Sequence, residues 1–254
     1  MCRTLALTLL AALSAAPAVA EDPRTVAFDL LMNGEIVGSR EVALRYLPAE
    51  EGVSDHEVRI TQTWTQIDAD IAGWSFAVRN RTTSHATDLR SSFTSSVSVN
   101  GDLSEIQGRT IDDGRWQVSE VRSGKHNTRE LRRTEIDLST MDLLDPVRSQ
   151  TLADLTRVQL LSAETGDVMV GVLEDLGEGD LTVGGRTVAV HRWGLDTSEG
   201  RLELGWDAEG LLLESSMVIR GQVIETRLKE LPPPREYGAF EVTMETPDVD
   251  EEEL

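Results

Sequence analysis

Hydrophobic and polar residues alternate along most of this chain. Val42, Leu44 and Tyr46, for example, alternate with Glu41 and Arg45. A period of two places successive side chains on opposite faces of a β-strand. The Thr, Ser and Val residues that crowd these segments also favour a pleated backbone. The pattern therefore predicts a chain built mainly from β-strands.

Turn sequences divide the alternating segments into consecutive strands. Asn33-Gly34 and Asn100-Gly101 contain the dipeptide that best tolerates the positive φ angles of a tight hairpin. We predict two sets of strands. They run near 24–32, 35–47, 55–68, 73–85, 89–99, 102–110, 115–122 and 126–138, and then near 167–176, 180–184, 186–196, 200–206, 211–219 and 222–230.

One amphipathic segment separates the two sets of strands. Leu152, Leu155 and Val158 recur on one side of a helix, and Asp145-Pro146 is typical of a helix start. We therefore predict a helix near 140–160. Many antiparallel strands with a single helix favour a curved antiparallel sheet, which is a half-barrel or incomplete β-barrel. The helix is expected to lie as a plug in its concave face.

The first twenty residues have the pattern of a secretory signal peptide. Arg3 is followed by an apolar stretch that ends at Ala16, and the small residues Ala18 to Ala20 form a cleavage pattern. We expect export to the periplasm with cleavage after Ala20. Cleavage there removes Cys2, the only cysteine, so that no disulfide or thiolate metal ligand remains.

The far end of the chain is rich in proline and then in acidic residues. The prolines at 232–234 have no backbone N–H to donate to a sheet, and the residues from Glu241 onward form an acidic tail. We therefore divide the chain into three parts. These are a signal peptide at 1–20, a single antiparallel β domain at 21–231, and a Pro-rich hinge with an acidic tail at 232–254.

The charge of the chain excludes some classes of partner. There are 45 acidic and 24 basic residues, which give a formal net charge of −21. Such an acidic protein repels phosphate backbones and anionic membrane surfaces, so we expect no nucleic acid partner. The longest apolar run lies at the N-terminus, so we also expect no internal transmembrane span.

The sequence contains no recognisable catalytic or metal-binding pattern. The histidines lack zinc-ligand spacing, and neither a G-x-S-x-G nor an S-x-x-K motif occurs. We therefore predict no catalytic residues, no metal and no cofactor, and we favour a function other than catalysis. The histidines are His56, His85, His126 and His191.

Aromatic residues are the most suggestive candidates for a binding site. Trp64, Trp74 and Phe76 fall on the bulky faces of two consecutive predicted strands, where we expect them to meet. Such residues either pack in a core or line an apolar cavity that holds a hydrophobic ligand. The predicted ligand-binding residues are Trp64, Trp74, Phe76, Trp116 and Trp193.

Short segments of the chain resemble a group of exported bacterial proteins of unknown function. They are residues 28–38, 165–168, 183–188 and 204–211. The last segment departs from the group's pattern, because Trp206 is followed directly by Asp207 without an intervening tyrosine. These proteins are similar to the periplasmic lipoprotein-carrier half-barrel, so the resemblance implies a curved sheet with a helical plug around an apolar cavity. It implies no catalytic residues.

Three functions are compatible with these features. The first is a soluble periplasmic protein that binds a lipid or other hydrophobic molecule without catalysis. The second is an envelope module that binds a protein partner through an exposed strand edge or the acidic tail. The third is a hydrolase of an envelope substrate. The one-sided apolar pattern and the lack of a catalytic motif favour the first function.

Overall fold

The computed structural model describes residues 23–47, 57–71, 74–87, 90–111, 114–197, 200–219 and 222–233. The predicted signal peptide, its cleavage point after Ala20 and the acidic tail lie outside these residues. Within them the predicted fold class is confirmed, because fifteen strands form one large, curved and unclosed sheet. The strands are β1 (Arg24–Met32), β2 (Glu35–Leu47), β3 (Val58–Ile71), β4 (Trp74–Ala86), β5 (Ser91–Val99), β6 (Asp102–Thr110), β7 (Trp116–Arg122), β8 (Lys125–Leu131), β9 (Leu138–Ser139), β10 (Arg157–Leu161), β11 (Val168–Val183), β12 (Arg186–Thr197), β13 (Gly200–Trp206), β14 (Leu212–Ile219) and β15 (Gln222–Leu228).

The sheet consists of two wings that meet at its centre. The first wing runs outward in chain order from β1 to β8, and the second runs outward in reverse order from β15 to β9. β1 and β15 pair with each other and so join the wings. All neighbouring strands are antiparallel except β9 and β10. Most pairs are therefore sequence neighbours, and the pair that joins the wings brings together the two ends of the β domain.

Both Asn-Gly turns form as predicted. Asn33 and Gly34 have φ angles of 50° and 87°, and Asn100 and Gly101 have φ angles of 51° and 91°. Asparagine and glycine tolerate this left-handed region better than other residues. These turns connect β1 to β2 and β5 to β6 at the same end of the sheet.

The predicted helix near 140–160 is wrong in its length. The α-helix α1 contains only Pro146–Ser149, with 3₁₀ turns at Asp142–Leu144 and Gln150–Asp154. The predicted start is right, since the Asp145 carboxylate accepts a hydrogen bond from the Val147 backbone N–H at 3.0 Å. Beyond these turns the chain continues as β10, which pairs with β11.

The short helical segment still acts as the predicted insert. We call residues 140–156 the plug. Leu143, Leu144 and Leu152 of the plug are buried in the hydrophobic core. The Trp206 indole N–H donates a hydrogen bond to the Leu143 carbonyl at 3.1 Å, and Arg59 Nε donates to Asp145 Oδ2 at 3.0 Å. The plug thus contacts β13 of the second wing and β3 of the first.

The inner face of the sheet is the face that carries Phe28 and Val42. The register shows which residues of β3 and β4 share this face, since Thr63 pairs with Val42 and Thr82 pairs with Thr63. Much of the inner face of the first wing is therefore polar. Asn80 satisfies two of these hydroxyls: its Oδ1 accepts from Thr82 Oγ1 at 3.0 Å and from Ser95 Oγ at 3.1 Å. The buried hydroxyl residues of β3 to β5 are Thr61, Thr63, Thr65, Thr82, Ser84 and Ser95.

This register corrects the orientation expected for β3. The sequence pattern predicts that Trp64 packs in a core or lines an apolar cavity, which places it on the inner face. Instead the threonines face inward, and Trp64 lies on the outer face. Alternation along a strand shows which residues share a face, but it does not show which of the two faces is buried. The hydrogen-bond network around Asn80 allows the polar face to be the buried one.

Candidate functional site

A group of partly exposed apolar side chains lies on the inner face, at one end of the sheet. In the first wing, Ile67 lies beside Val78. In the second wing, Ile224 lies beside Met217 and, across the junction of the wings, beside Met32. We call this group the apolar rim. It consists of Met32, Ile67, Phe76, Val78, Val97, Leu202, Met217 and Ile224, all of which are partly exposed.

The rim lies at the end of the sheet opposite the plug. The plug contacts Arg59 near the start of β3 and Trp206 at the end of β13. Ile67 lies toward the other end of β3, and Leu202 lies toward the other end of β13. The contacts of the plug with β3 and β13 therefore lie at the end of the sheet opposite the rim, whose side chains are partly exposed.

A partly buried cation lies directly beside the rim. Arg40 and Thr65 form the inner-face pair next to Gly38 and Ile67, one step toward the plug. Arg40 Nε donates a hydrogen bond to Thr65 Oγ1 at 3.0 Å. Burial lowers the pKa of Arg40, and the negative charge of Glu164 acts in the opposite direction. An arginine guanidinium in a protein is protonated at neutral pH, so Arg40 carries a positive charge.

The turn between β10 and β11 brings Glu164 toward this region. Its Oε2 accepts hydrogen bonds from Thr140 Oγ1 at 2.9 Å and from Ser162 Oγ at 3.3 Å. Arg129 of β8 holds the same turn, because it donates to the Gly166 carbonyl and lies 3.3 Å from Asp167 Oδ1. Side-chain contacts of this turn thus connect the outer parts of the two wings, although the sheet itself does not close.

Three of the aromatic residues predicted to bind a ligand lie on the inner face, at separate places. Phe76 belongs to the rim. Trp193 is partly exposed in the second wing, with its ring 5.2 Å from that of His191. Trp116 is buried, and its ring centroid lies 6.1 Å from that of Phe93. Trp116 is therefore part of the core and presents little surface to a ligand.

Trp64 does not meet Phe76, contrary to the expectation from the sequence. Trp64 lies on the outer face, where the Arg81 guanidinium carbon is 5.8 Å from the centre of the indole ring. Together with Gln66 and Arg79 these residues line a shallow depression of about 410 Å³. The side chain of Trp74 lies outside the described part of the structure.

Sequence reasoning named Phe76 as a ligand-binding residue but missed the other members of the rim. Val97 and Ile224 lie close to predicted turns, and both belong to alternating segments. An apolar residue near a turn is a weak signal by itself. It becomes informative only when the buried face of the strand is known, and the structure supplies that information through the register.

Among the residues that the structure describes, no group of three or more His, Cys, Asp or Glu side chains is placed to hold a metal ion. His191 forms a pair with Asp175, at 2.8 Å between Nε2 and Oδ1. The same residues include no helix with the length and apolar character needed to cross a membrane.

Comparison with known proteins identifies a structural relative. The fold is similar to the crystal structure of a beta-barrel-like protein of domain of unknown function DUF1849 from Brucella abortus. The TM-score is 0.55 at 13% sequence identity, and the match covers 82% of this chain and 96% of that chain. No protein-family model and no curated protein matches the sequence. At this identity the likeness shows a shared β-barrel-like fold, which is compatible with a binding module.

Proposed function

We propose that the chain is an exported, non-catalytic protein that binds a lipid or other apolar molecule on the apolar rim. The observation that carries the proposal is the rim itself. Its eight apolar side chains share one face of the sheet, and every one of them is partly exposed. Partly exposed apolar side chains grouped on one face of a folded protein are candidates for a ligand or interaction site. The location rests on the signal-peptide pattern of the first twenty residues.

The extent of the rim favours a long, flexible ligand. From Val97 on β5 to Leu202 on β13 the rim spans eight neighbouring strands and has members on all of them except β2. At about 4.8 Å per strand, that distance is about 34 Å along the curve of the sheet. An extended hydrocarbon chain contacts such a strip better than a compact molecule does. We therefore place an acyl chain or a similar molecule along the rim.

The side chains of the rim favour binding over catalysis. They are aliphatic apart from Phe76, so they supply no nucleophile and no general base. Of the buried hydroxyls near the rim, that of Thr65 accepts a hydrogen bond from Arg40 Nε. Those of Thr82 and Ser95 lie 2.8 Å apart, and each is within 3.1 Å of Asn80 Oδ1. An amide does not activate a hydroxyl as a base does. A hydrolase of an envelope substrate is thus the less supported alternative.

Native mass spectrometry and organic extraction test the proposal. We expect the wild-type protein, purified from the periplasm of the expressing cell, to carry an apolar molecule. Val78→Asp places a charge within the rim and is expected to abolish this cargo. Val172→Asp is the matched control, because Val172 is 61% exposed and lies outside the rim. A wild-type protein without cargo, or equal cargo on both variants, contradicts the proposal.

A further inference from the structure

We propose that Arg40 binds the anionic head group of an amphiphile whose hydrocarbon part lies along the apolar rim. The inference rests on the proposed function and specifies its ligand class. The carboxylate of a fatty acid and the phosphate of a phospholipid have the same chemistry toward arginine. The experiment below distinguishes these two sources.

Arg40 has unused hydrogen-bond donors. An arginine side chain carries five N–H groups, and only the Nε of Arg40 has a partner among the described residues, the hydroxyl of Thr65. No carboxylate of the described chain lies within ion-pair distance of its guanidinium. Arg40 is partly buried, and part of its side-chain surface is accessible. The free donors are thus available to a ligand.

A second arginine on the same inner face shows what a satisfied site looks like. Arg59 is buried beside Asp145, with 3.0 Å between Nε and Oδ2. A buried charge is costly unless it is paired and hydrogen-bonded. Arg59 meets this condition within the protein, whereas Arg40 is only partly buried and has one side-chain hydrogen bond, from its Nε. An anionic ligand supplies the missing partner, since the guanidinium fork matches both carboxylate and phosphate.

The register places this charge where an amphiphile needs it. Arg40 lies beside Thr65, and the next inner-face pair toward the rim is Gly38 with Ile67. Residues two apart on a strand are separated by about 7 Å. A head group at Arg40 therefore places the adjoining methylene groups against Ile67 and then Val78. The polar and apolar parts of the site follow the order of the two parts of an amphiphile.

Most of the negative charge of the protein acts only weakly on an anion at Arg40. Exposed charges are screened beyond a Debye length of about 8 Å at physiological ionic strength. Glu164 is the acid whose charge acts on Arg40, and it opposes an incoming anion. Its Oε2 is already hydrogen-bonded by Thr140 and Ser162. Neutralising Glu164 is therefore expected to strengthen anion binding.

Three probes that share the same length of hydrocarbon chain and differ in their head groups test the inference by calorimetric titration. They are dodecanoate, dodecyl phosphate and dodecanol. We expect Arg40→Gln to weaken binding of the preferred anion about tenfold or more, which corresponds to the loss of one charge-assisted pair. Dodecanol binding is expected to stay unchanged. The stronger of the two anions in wild-type protein identifies the head group.

Matched variants separate the role of Arg40 from general effects. Arg45→Gln removes an exposed arginine from the same strand and is expected to change none of the three affinities. Arg40→Lys keeps the charge and is expected to retain part of the anion preference. Glu164→Gln is expected to tighten anion binding. Circular dichroism of each variant verifies that the sheet is intact.

The possible failures are distinguishable. If wild-type protein binds dodecanol as tightly as both anions, or if Arg40→Gln weakens all three probes equally, the role of Arg40 is overturned while the apolar site stands. If wild-type protein binds none of the three probes, the proposed function fails together with this inference.

Discussion

Replacing Arg59 with alanine is expected to destabilise the protein by about 3–5 kcal/mol, because it leaves a buried carboxylate without its partner. The side chains of Arg59 and Asp145 are only 6% and 5% exposed, and they join β3 to the plug. Glu57, which lies 3.9 Å from Arg59, is half exposed and stays solvated when Arg59 is removed. The loss therefore arises mainly at Asp145.

The pH dependence of this loss tests its cause. Burial already raises the pKa of Asp145 above its usual value of 3.8, and removal of the Arg59 charge raises it further. A raised carboxyl pKa in the folded state means that stability is greatest below the unfolded pKa and falls as the pH rises through the folded pKa. The destabilisation of Arg59→Ala should therefore shrink in acid.

Urea unfolding at acidic and neutral pH measures both effects. The double replacement of Arg59→Met with Asp145→Leu removes both charges and is expected to recover most of the lost stability. Arg45→Ala is the control for an exposed arginine and should change the free energy of unfolding by less than about 0.5 kcal/mol. An equal loss at every pH means that the unpaired carboxylate is not the cause.

Replacing Phe28 with alanine is expected to lower the free energy of unfolding by about 3–5 kcal/mol, as for other large buried side chains. This effect is independent of the one at Arg59. Phe28 is 1% exposed on β1, where it lies between Leu228 of β15 and Arg40 of β2. The cavity left by the ring lies at the junction of the two wings. The surrounding strands pair on both sides of β1, so they have little freedom to collapse into it.

Phe76→Ala is the matched control for Phe28→Ala. Phe76 is partly exposed in the apolar rim, so less apolar surface returns to water when its ring is removed. We expect the free energy of unfolding of this control to fall by less than about 2 kcal/mol in the same urea measurement. Similar losses for the two variants would show that the junction of the wings is not a specially well packed part of the core.

The strands could be predicted from the sequence because local signals determine them. β1 and β2 were expected at 24–32 and 35–47, and they form at those residues. Alternation defines each strand, and the Asn33-Gly34 turn fixes where one ends and the next begins. Most strands pair with a sequence neighbour, so the order within each wing also follows from local connections.

The length of the helix and the faces of the strands depend on contacts that local patterns do not contain. Leu152, Leu155 and Val158 have helical spacing, yet Val158 belongs to β10 because β11 offers it a strand partner. Trp64 faces outward because Thr63 and Thr65 lie beside Val42 and Arg40 on the buried face. The candidate site could be located only after these faces were known.

Fluorescence titration with N-phenylnaphthylamine, a neutral apolar dye, tests most directly whether the rim binds apolar molecules. Ile67→Lys places a charge within the rim, whereas Ile36→Lys makes the same change at a position that is 67% exposed and outside the rim. We predict a saturable rise in dye emission for the wild-type protein and Ile36→Lys, and its loss in Ile67→Lys, with circular dichroism unchanged in all three. The same titration curve for all three proteins, or no rise with the wild-type protein, would contradict the account.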